Sequence, residues 1–125
     1  MRLEIPASLG EVMDKISILK IKNEMITDPD KLKEIRNEEA QLTKRVEEQS
    51  LELGDFLDQL LQVNRKLWKI EDDIRDLERK GQFDKEFIEL ARSVYITNDQ
   101  RFDIKNRINL KFGSDIKEVK SYEKY

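Results

Sequence analysis

The chemistry open to this chain rests on charged side chains that stand among apolar ones. Lys15 and Lys22 lie near Asp14, Trp68 precedes Glu71, Asp72 and Arg75, and Asn98, Asp99, Arg101 and Lys105 follow later. At helical spacing these groups interrupt greasy faces. Asp14, Lys15 and Lys22 fall among Met13, Ile16, Ile18, Leu19 and Ile21, while Asn98, Arg101 and Lys105 fall between Ala91 and Val94 on one side and Ile108 and Phe112 on the other. A charge so placed must be paired or must serve a ligand, because an unpaired buried ion costs several kcal/mol. Pairing predicts a Glu71–Arg75 bridge one turn apart, and Asp72 or Asp99 joined across helices to Lys15, Lys22 or Arg101. A ligand site predicts a pocket between helices, where Lys22, Arg75, Arg101 and Lys105 receive a small anion, Glu71 and Asp72 orient them, and Trp68 supplies a flat apolar wall.

Other chemistries lack their residues. The chain has no histidine and no cysteine, which removes the commonest neutral-pH base, the commonest zinc ligand, thiol nucleophiles and disulfides. A di-iron carboxylate bundle needs Glu-x-x-His, serines without histidine have no activating base, and no Gly-rich phosphate loop is present. The acidic run Glu71, Asp72, Asp73 and Asp76 reads as a solvated helix face before it reads as a Mg²⁺ site. No cofactor is expected.

Nucleic acid is not an expected partner. The formal charge of −3 offers phosphates no general attraction. Arg101, Lys105, Arg107 and Lys111 split between two faces of their helix instead of forming one basic strip. The opening Met-Arg-Leu-Glu-Ile-Pro lacks the apolar core of a leader, and no stretch approaches the ~20 apolar residues of a membrane span. A cytoplasmic location and no membrane partner are the expectation.

These groups must be carried by helices. Charged residues make up 41% of the chain and apolar ones 38%, the balance of amphipathic helices with wet outer faces, and six Gly and Pro residues leave few places to turn. A 125-residue chain has room for one core, so a single domain over 1–125 is expected. Ser8 and Glu11 form the S-x-x-E signature of a helix start, giving a first helix over about 8–26. Thr27-Asp28-Pro29 stops that helix and caps the next, at about 29–53. Asp55 and Lys80-Gly81 bound a third, 55–80. Asp84 opens a fourth, 84–112, with a bend near Thr97, where Thr97 and Gln100 would form a second capping box. The tail 113–125 is too polar to stand alone and would lie against the bundle through Ile116, Val119 and Tyr122, or stay loose.

The middle of the chain leaves one architectural choice open. Leu32, Ile35, Glu39, Leu42, Val46, Gln49, Leu53, Phe56, Leu60, Val63, Leu67, Ile70, Ile74 and Leu77 recur at spacings of three and four, all apolar but Glu39 and Gln49. That phase runs unbroken through Ser50 and Gly54. It permits one continuous helix, ~75 Å long at 1.5 Å per residue, in an intertwined dimer. The favoured expectation is a turn at Gly54 and an all-α, antiparallel bundle of about four long helices.

Four strings carry a family resemblance: I-P-x-S-x-G-E-x-x-D-K-I-x-I-L-x-I-K from Ile5 to Lys22, L-W-x-I-E-D-D-I-R from Leu67 to Arg75, F-I-E-L-A-R-x-V-Y-x-T-N-D-x-R from Phe87 to Arg101, and G-S-x-x-x-E-x-K-S-Y from Gly113 to Tyr122. Together they resemble a family of short bacterial and phage proteins known only as a domain of unknown function. The likeness spans nearly the whole chain and is weakest between about Leu42 and Leu61, a variable segment that implies a turn there. It brings no activity. It does imply that Lys15, Lys22, Trp68, Glu71, Asp72, Arg75, Asn98, Asp99, Arg101, Lys105 and Tyr122 are the positions to inspect for a site.

One enzyme alternative needs neither metal nor histidine. Met13-Asp14-Lys15-Ile16, with Ile18 and Leu19, is similar to the start of the first helix of helical chorismate mutases, which grip a dianionic substrate with arginines and lysines. Lys22 stands near where that family has an arginine, and Pro29 interrupts its long first helix. With no catalytic motif found, the expected role is a binding or protein-interaction module that self-associates as a dimer or meets a protein partner through exposed seam, with a small anion as possible ligand.

Overall fold

A computed structural model describes residues 1–125. Four helices make up the fold, with no strand: α1 (Leu9–Met25), α2 (Pro29–Glu47), α3 (Phe56–Lys80) and α4 (Lys85–Lys111). Each helix begins and ends for a local reason. Ser8 Oγ accepts the Glu11 amide at 3.1 Å, and Asp28 takes the Asp30 and Lys31 amides at the start of α2, with Pro29 next to it. Gly81, at φ 65°, closes α3 with the two bonds of a Schellman turn, Gln82 N–H to Leu77 O and Gly81 N–H to Glu78 O.

Several expected boundaries and caps differ. Helix α2 ends at Glu47, six residues before the expected 53, because Ser50 takes a left-handed φ of 51° and Gly54 one of 58°. The continuous helix is thereby excluded. Asp55 and Asp84 stand at the expected N-cap positions of α3 and α4, but their carboxylates take no backbone amide and accept from the side chains of Gln59 (3.0 Å) and Gln82 (3.0 Å) instead. Thr97 does not restart a helix either, since α4 runs through it unbroken.

The packing is a bundle with α1 as its hub. Helix α1 packs against all three others, α3 packs against α4, and α2 meets α1 alone. Cross-helix bonds fix the directions. Gly10 with Asn109 and Asp14 with Arg101 run α1 antiparallel to α4; Phe56 with Phe112 and Gln59 with Arg107 do the same for α3 and α4, and Lys20 with Glu39 and Asn23 with Arg36 for α1 and α2. A helix used on several sides must be apolar nearly all round, as α1 is: Met13, Ile16, Leu19 and Ile21 are all buried. Met13 meets Leu60, Val63, Ile104 and Ile108 in the core between α1, α3 and α4. Burying each such side chain stabilises by about 2 kcal/mol. Ile35 and Val46 are the buried positions of α2, and its polar seam position Glu39 bonds Lys20 at 2.9 Å. No helix is long and apolar enough to cross a membrane.

Candidate functional site

Where α1 crosses α4, the interior is polar. Asp14 is 0% exposed, and its carboxylate accepts Arg101 Nε at 2.9 Å, Arg101 Nη2, and Asn64 Nδ2 of α3 at 2.9 Å. Ser17 Oγ also accepts from Asn64 (2.7 Å) and donates to the Asp14 carbonyl (2.7 Å). A carboxylate is tolerated there because a two-point guanidinium bond and an amide replace its water. The same hydrogen bond to Asp14 lifts Arg101 above its ordinary pKa, against the opposing pull of burial.

One turn along α4, Lys105 carries a second junction. Its side chain is 7% exposed, and Nζ lies 2.7 Å from Glu11 of α1 and 2.8 Å from Glu118 of the tail. Burial pushes the ammonium down, but the bonds to Glu11 and Glu118 prevail and hold it above the ordinary lysine value of 10.5. The first amides of α1 are satisfied from distant parts of the chain. Leu9 N–H donates to Ser114 Oγ (3.3 Å), and Gly10 N–H to Asn109 Oδ1 (2.7 Å). Glu11 spends its side chain on Lys105, so the expected capping box is present only in its Ser8 half.

Gly10 allows this approach. A Cβ at that position would sit 2.6 Å from the Lys105 carbonyl and 2.9 Å from Asn109 Oδ1.

The tail follows α4 backwards over its outer surface. Glu118 meets Lys105, Lys120 Nζ stands 5.1 Å from the centre of the Phe102 ring and 3.7 Å from Asp99, and Tyr125 donates its hydroxyl to Asp99 at 2.7 Å. The Tyr125 and Tyr95 rings meet edge to face at 5.2 Å. The hydrogen bond to Asp99, with some burial, raises the Tyr125 pKa above 10.0. Ile116, Val119 and Tyr122, the expected anchors, point away: Val119 is 87% and Tyr122 83% exposed. Polar residues dock the tail instead.

Of the sequence-predicted site residues, Arg101 and Lys105 come together beside Asp14, and Asp99 lies on the outer surface of the same helix. The rest do not join them. Arg75 is 72% exposed and bonds Glu71 at 3.2 Å, which is the bridge expected within α3. Lys15 and Asp72 are exposed, whereas Lys22, Trp68 and Asn98 are half-buried and make no side-chain hydrogen bond or ion pair. Arg101 pairs with Asp14, not with Asp72 or Asp99, and Asp99 pairs with Lys120 of the tail.

The four cations therefore do not line one pocket, because α3 carries Arg75 to the surface while Asp14, Glu11 and Glu118 neutralise the two inner cations of α4. Two open grooves exist elsewhere, of about 480 and 330 Å³, and none of the expected cations lines either. The larger runs beside Asp99, Asp103 and Arg107, and there Arg107 is held by Asp103 and Gln59, each at 3.1 Å. No group of acidic side chains is arranged to hold a metal ion.

Sequence reasoning missed Gly10, Asn109, Ser114 and Glu118. A glycine in the first turn of a capped helix is a mark of close approach, and Asn109 follows Lys105 by one turn, so both carried a local signal. Ser114 and Glu118 stood only as letters of the fourth family string, with no pattern to give either a role.

A family model described as "Family of unknown function (DUF6165)" matches residues 1–125. Among curated proteins and among solved structures, nothing matches.

Proposed function

We propose that the chain, which belongs to the family of unknown function DUF6165, acts as a protein-interaction module that associates with a second copy of itself. The observation that carries this reading is where its large apolar side chains stand. Met1, Leu3 and Ile5 alternate with charged residues along an extended segment before α1, and all three are exposed, Leu3 and Ile5 at 77% each. This segment precedes the end of α1 where Leu9 bonds Ser114 and Gly10 bonds Asn109, and its Glu4 lies 3.6 Å from Arg45 of α2. Ile116, Val119, Tyr122 and Leu110 of α4 are exposed as well. Large apolar groups left in water along both terminal segments favour burial against another protein.

Anion recognition enters the same reading in a narrower form. The one carboxylate drawn to Lys105 from outside the helices is Glu118 of the chain's own tail, so the cation serves a peptide acid rather than a free small molecule.

The test is self-association measured by sedimentation equilibrium on the full chain. Wild type is expected to dimerise, whereas Leu3→Glu with Ile5→Glu stays monomeric and keeps the same helical circular dichroism. A wild type that remains monomeric from micromolar to millimolar concentration overturns the proposal.

A further inference from the structure

The tail and the helix it lies on match each other in chemistry. Tyr95, Asp99, Phe102 and Lys105 recur at spacings of three and four, which puts an aromatic ring, an acid and a second ring on one side of α4, with a buried cation at the edge of that side. An extended segment lies along this side in the opposite direction. Its Glu118 answers Lys105, its Lys120 answers Phe102 and Asp99, and its Tyr125 answers Asp99 and Tyr95.

Nothing else holds the segment. After the Ser114 amide bonds the Asn109 carbonyl, no backbone hydrogen bond joins residues 115–125 to the bundle, and no helix or strand forms there. Gly113, at φ 64°, supplies the bend from which the segment departs.

We propose that this side of α4 is a reading surface for an extended peptide bearing a carboxylate, an ammonium two residues on and a tyrosine five residues beyond, filled by the chain's own tail and exchanged with the tail of a second copy. Exchange loses no contact, because side chains alone make the docking and each copy carries both halves. It also gives Ile116, Val119 and Tyr122 somewhere to go. Within one chain they face water, whereas a tail lying between two copies brings them to an intermolecular boundary where their burial is favourable. The proposal rests on the reading of the chain as self-associating but not on the Leu3 and Ile5 segment.

Two measurements on full-length chains test it. The first takes a chain whose tail anchors are replaced (Glu118→Gln, Lys120→Gln, Tyr125→Ala) and titrates it against a labelled peptide of residues 114–125, read by fluorescence anisotropy. Saturable binding is expected, at least tenfold tighter than to wild type, whose own tail competes, and at least tenfold weaker once Asp99→Asn is added. A milder chain that keeps Glu118 and changes only Lys120 and Tyr125 should fall between, and it serves if the triple variant loses helical structure. No binding, or equal binding to variant and wild type, overturns the reading surface.

The second uses the absence of cysteine. A chain with Arg92→Cys mixed with one carrying Lys124→Cys should yield a disulfide heterodimer under oxidation, suppressed by excess peptide. Peptide binding without any heterodimer overturns the exchange and leaves the tail as a strap within one chain. Should Leu3→Glu with Ile5→Glu abolish dimers while the peptide still binds, the surface stands and the terminal apolar segment is the contact that drives association.

Discussion

At the scale of single residues, what distinguishes the two arginines of interest is what each leaves behind when removed. Arg101 is the principal counter-charge of Asp14, which has no access to water, so Arg101→Ala strands a buried carboxylate with only Asn64 to solvate it. The expected cost is about 3 kcal/mol of unfolding free energy, the usual range for breaking a buried ion pair from one side. Arg75→Ala removes an exposed guanidinium whose only ionic partner is Glu71 on its own helix, and should leave stability nearly unchanged. Urea denaturation of the two variants side by side checks the contrast. Equal small losses would mean that Asp14 is not relying on Arg101. Sequence alone exposed half of this pair of facts. Asp14 and Arg101 both stood out as charges on greasy faces, but these residues are 87 positions apart and their partnership depends on how two helices register against each other, and no local pattern carries that register.

At the scale of elements, the start of α1 is the most constrained contact in the fold. Three of its first amides find acceptors on Ser8, Asn109 and Ser114, and the absence of a side chain on Gly10 lets α4 come close enough for the Asn109 side chain to be one of them. Gly10→Ala places a methyl against a backbone carbonyl that cannot swing away. It should separate α1 from α4 and cost about 1–3 kcal/mol, although alanine is the better helix former. Thermal unfolding followed by circular dichroism reads this directly, and a variant as stable as wild type would show that the two helices slide without penalty.

Helix types and most helix ends were legible because apolar spacing, Pro29, Gly81 and the Ser8 and Asp28 caps are local signals. The long seam from Leu32 to Leu77 was legible as burial but not as geometry. Its phase continues through the turn, yet its first part faces α1 alone and its second part lies in α3, which faces α1 and α4. A one-dimensional period does not tell which neighbour a stripe meets, nor that Ser50 adopts a left-handed conformation inside the span 29–53 expected for the second helix.

At the scale of the whole molecule, Lys105 is where three separate stretches of chain meet: α1 through Glu11, α4 itself, and the tail through Glu118, with Asp14 adding attraction nearby. Its proton is therefore held more tightly in the fold than in the unfolded chain, in spite of burial. The stabilisation that follows is fully present below the ordinary lysine value of 10.5 and disappears as pH rises through the higher value of the folded protein. Tyr125, raised above 10.0 by its bond to Asp99, works in the same direction, because ionising the hydroxyl breaks the bond that ends the tail's docking. Denaturant midpoints should accordingly be level with respect to these two groups through neutral pH and fall as pH rises past the ordinary values of 10.0 and 10.5, with the tail released first because it has no backbone bonds to hold it. Lys105→Gln removes the ammonium's share of this linkage, so its curve should start lower and decline less steeply above pH 10.5. Parallel curves for the two proteins would mean that the ammonium is equally at home in the unfolded chain, and that α1, α4 and the tail are held at this end by Asn109, Ser114 and apolar packing without it.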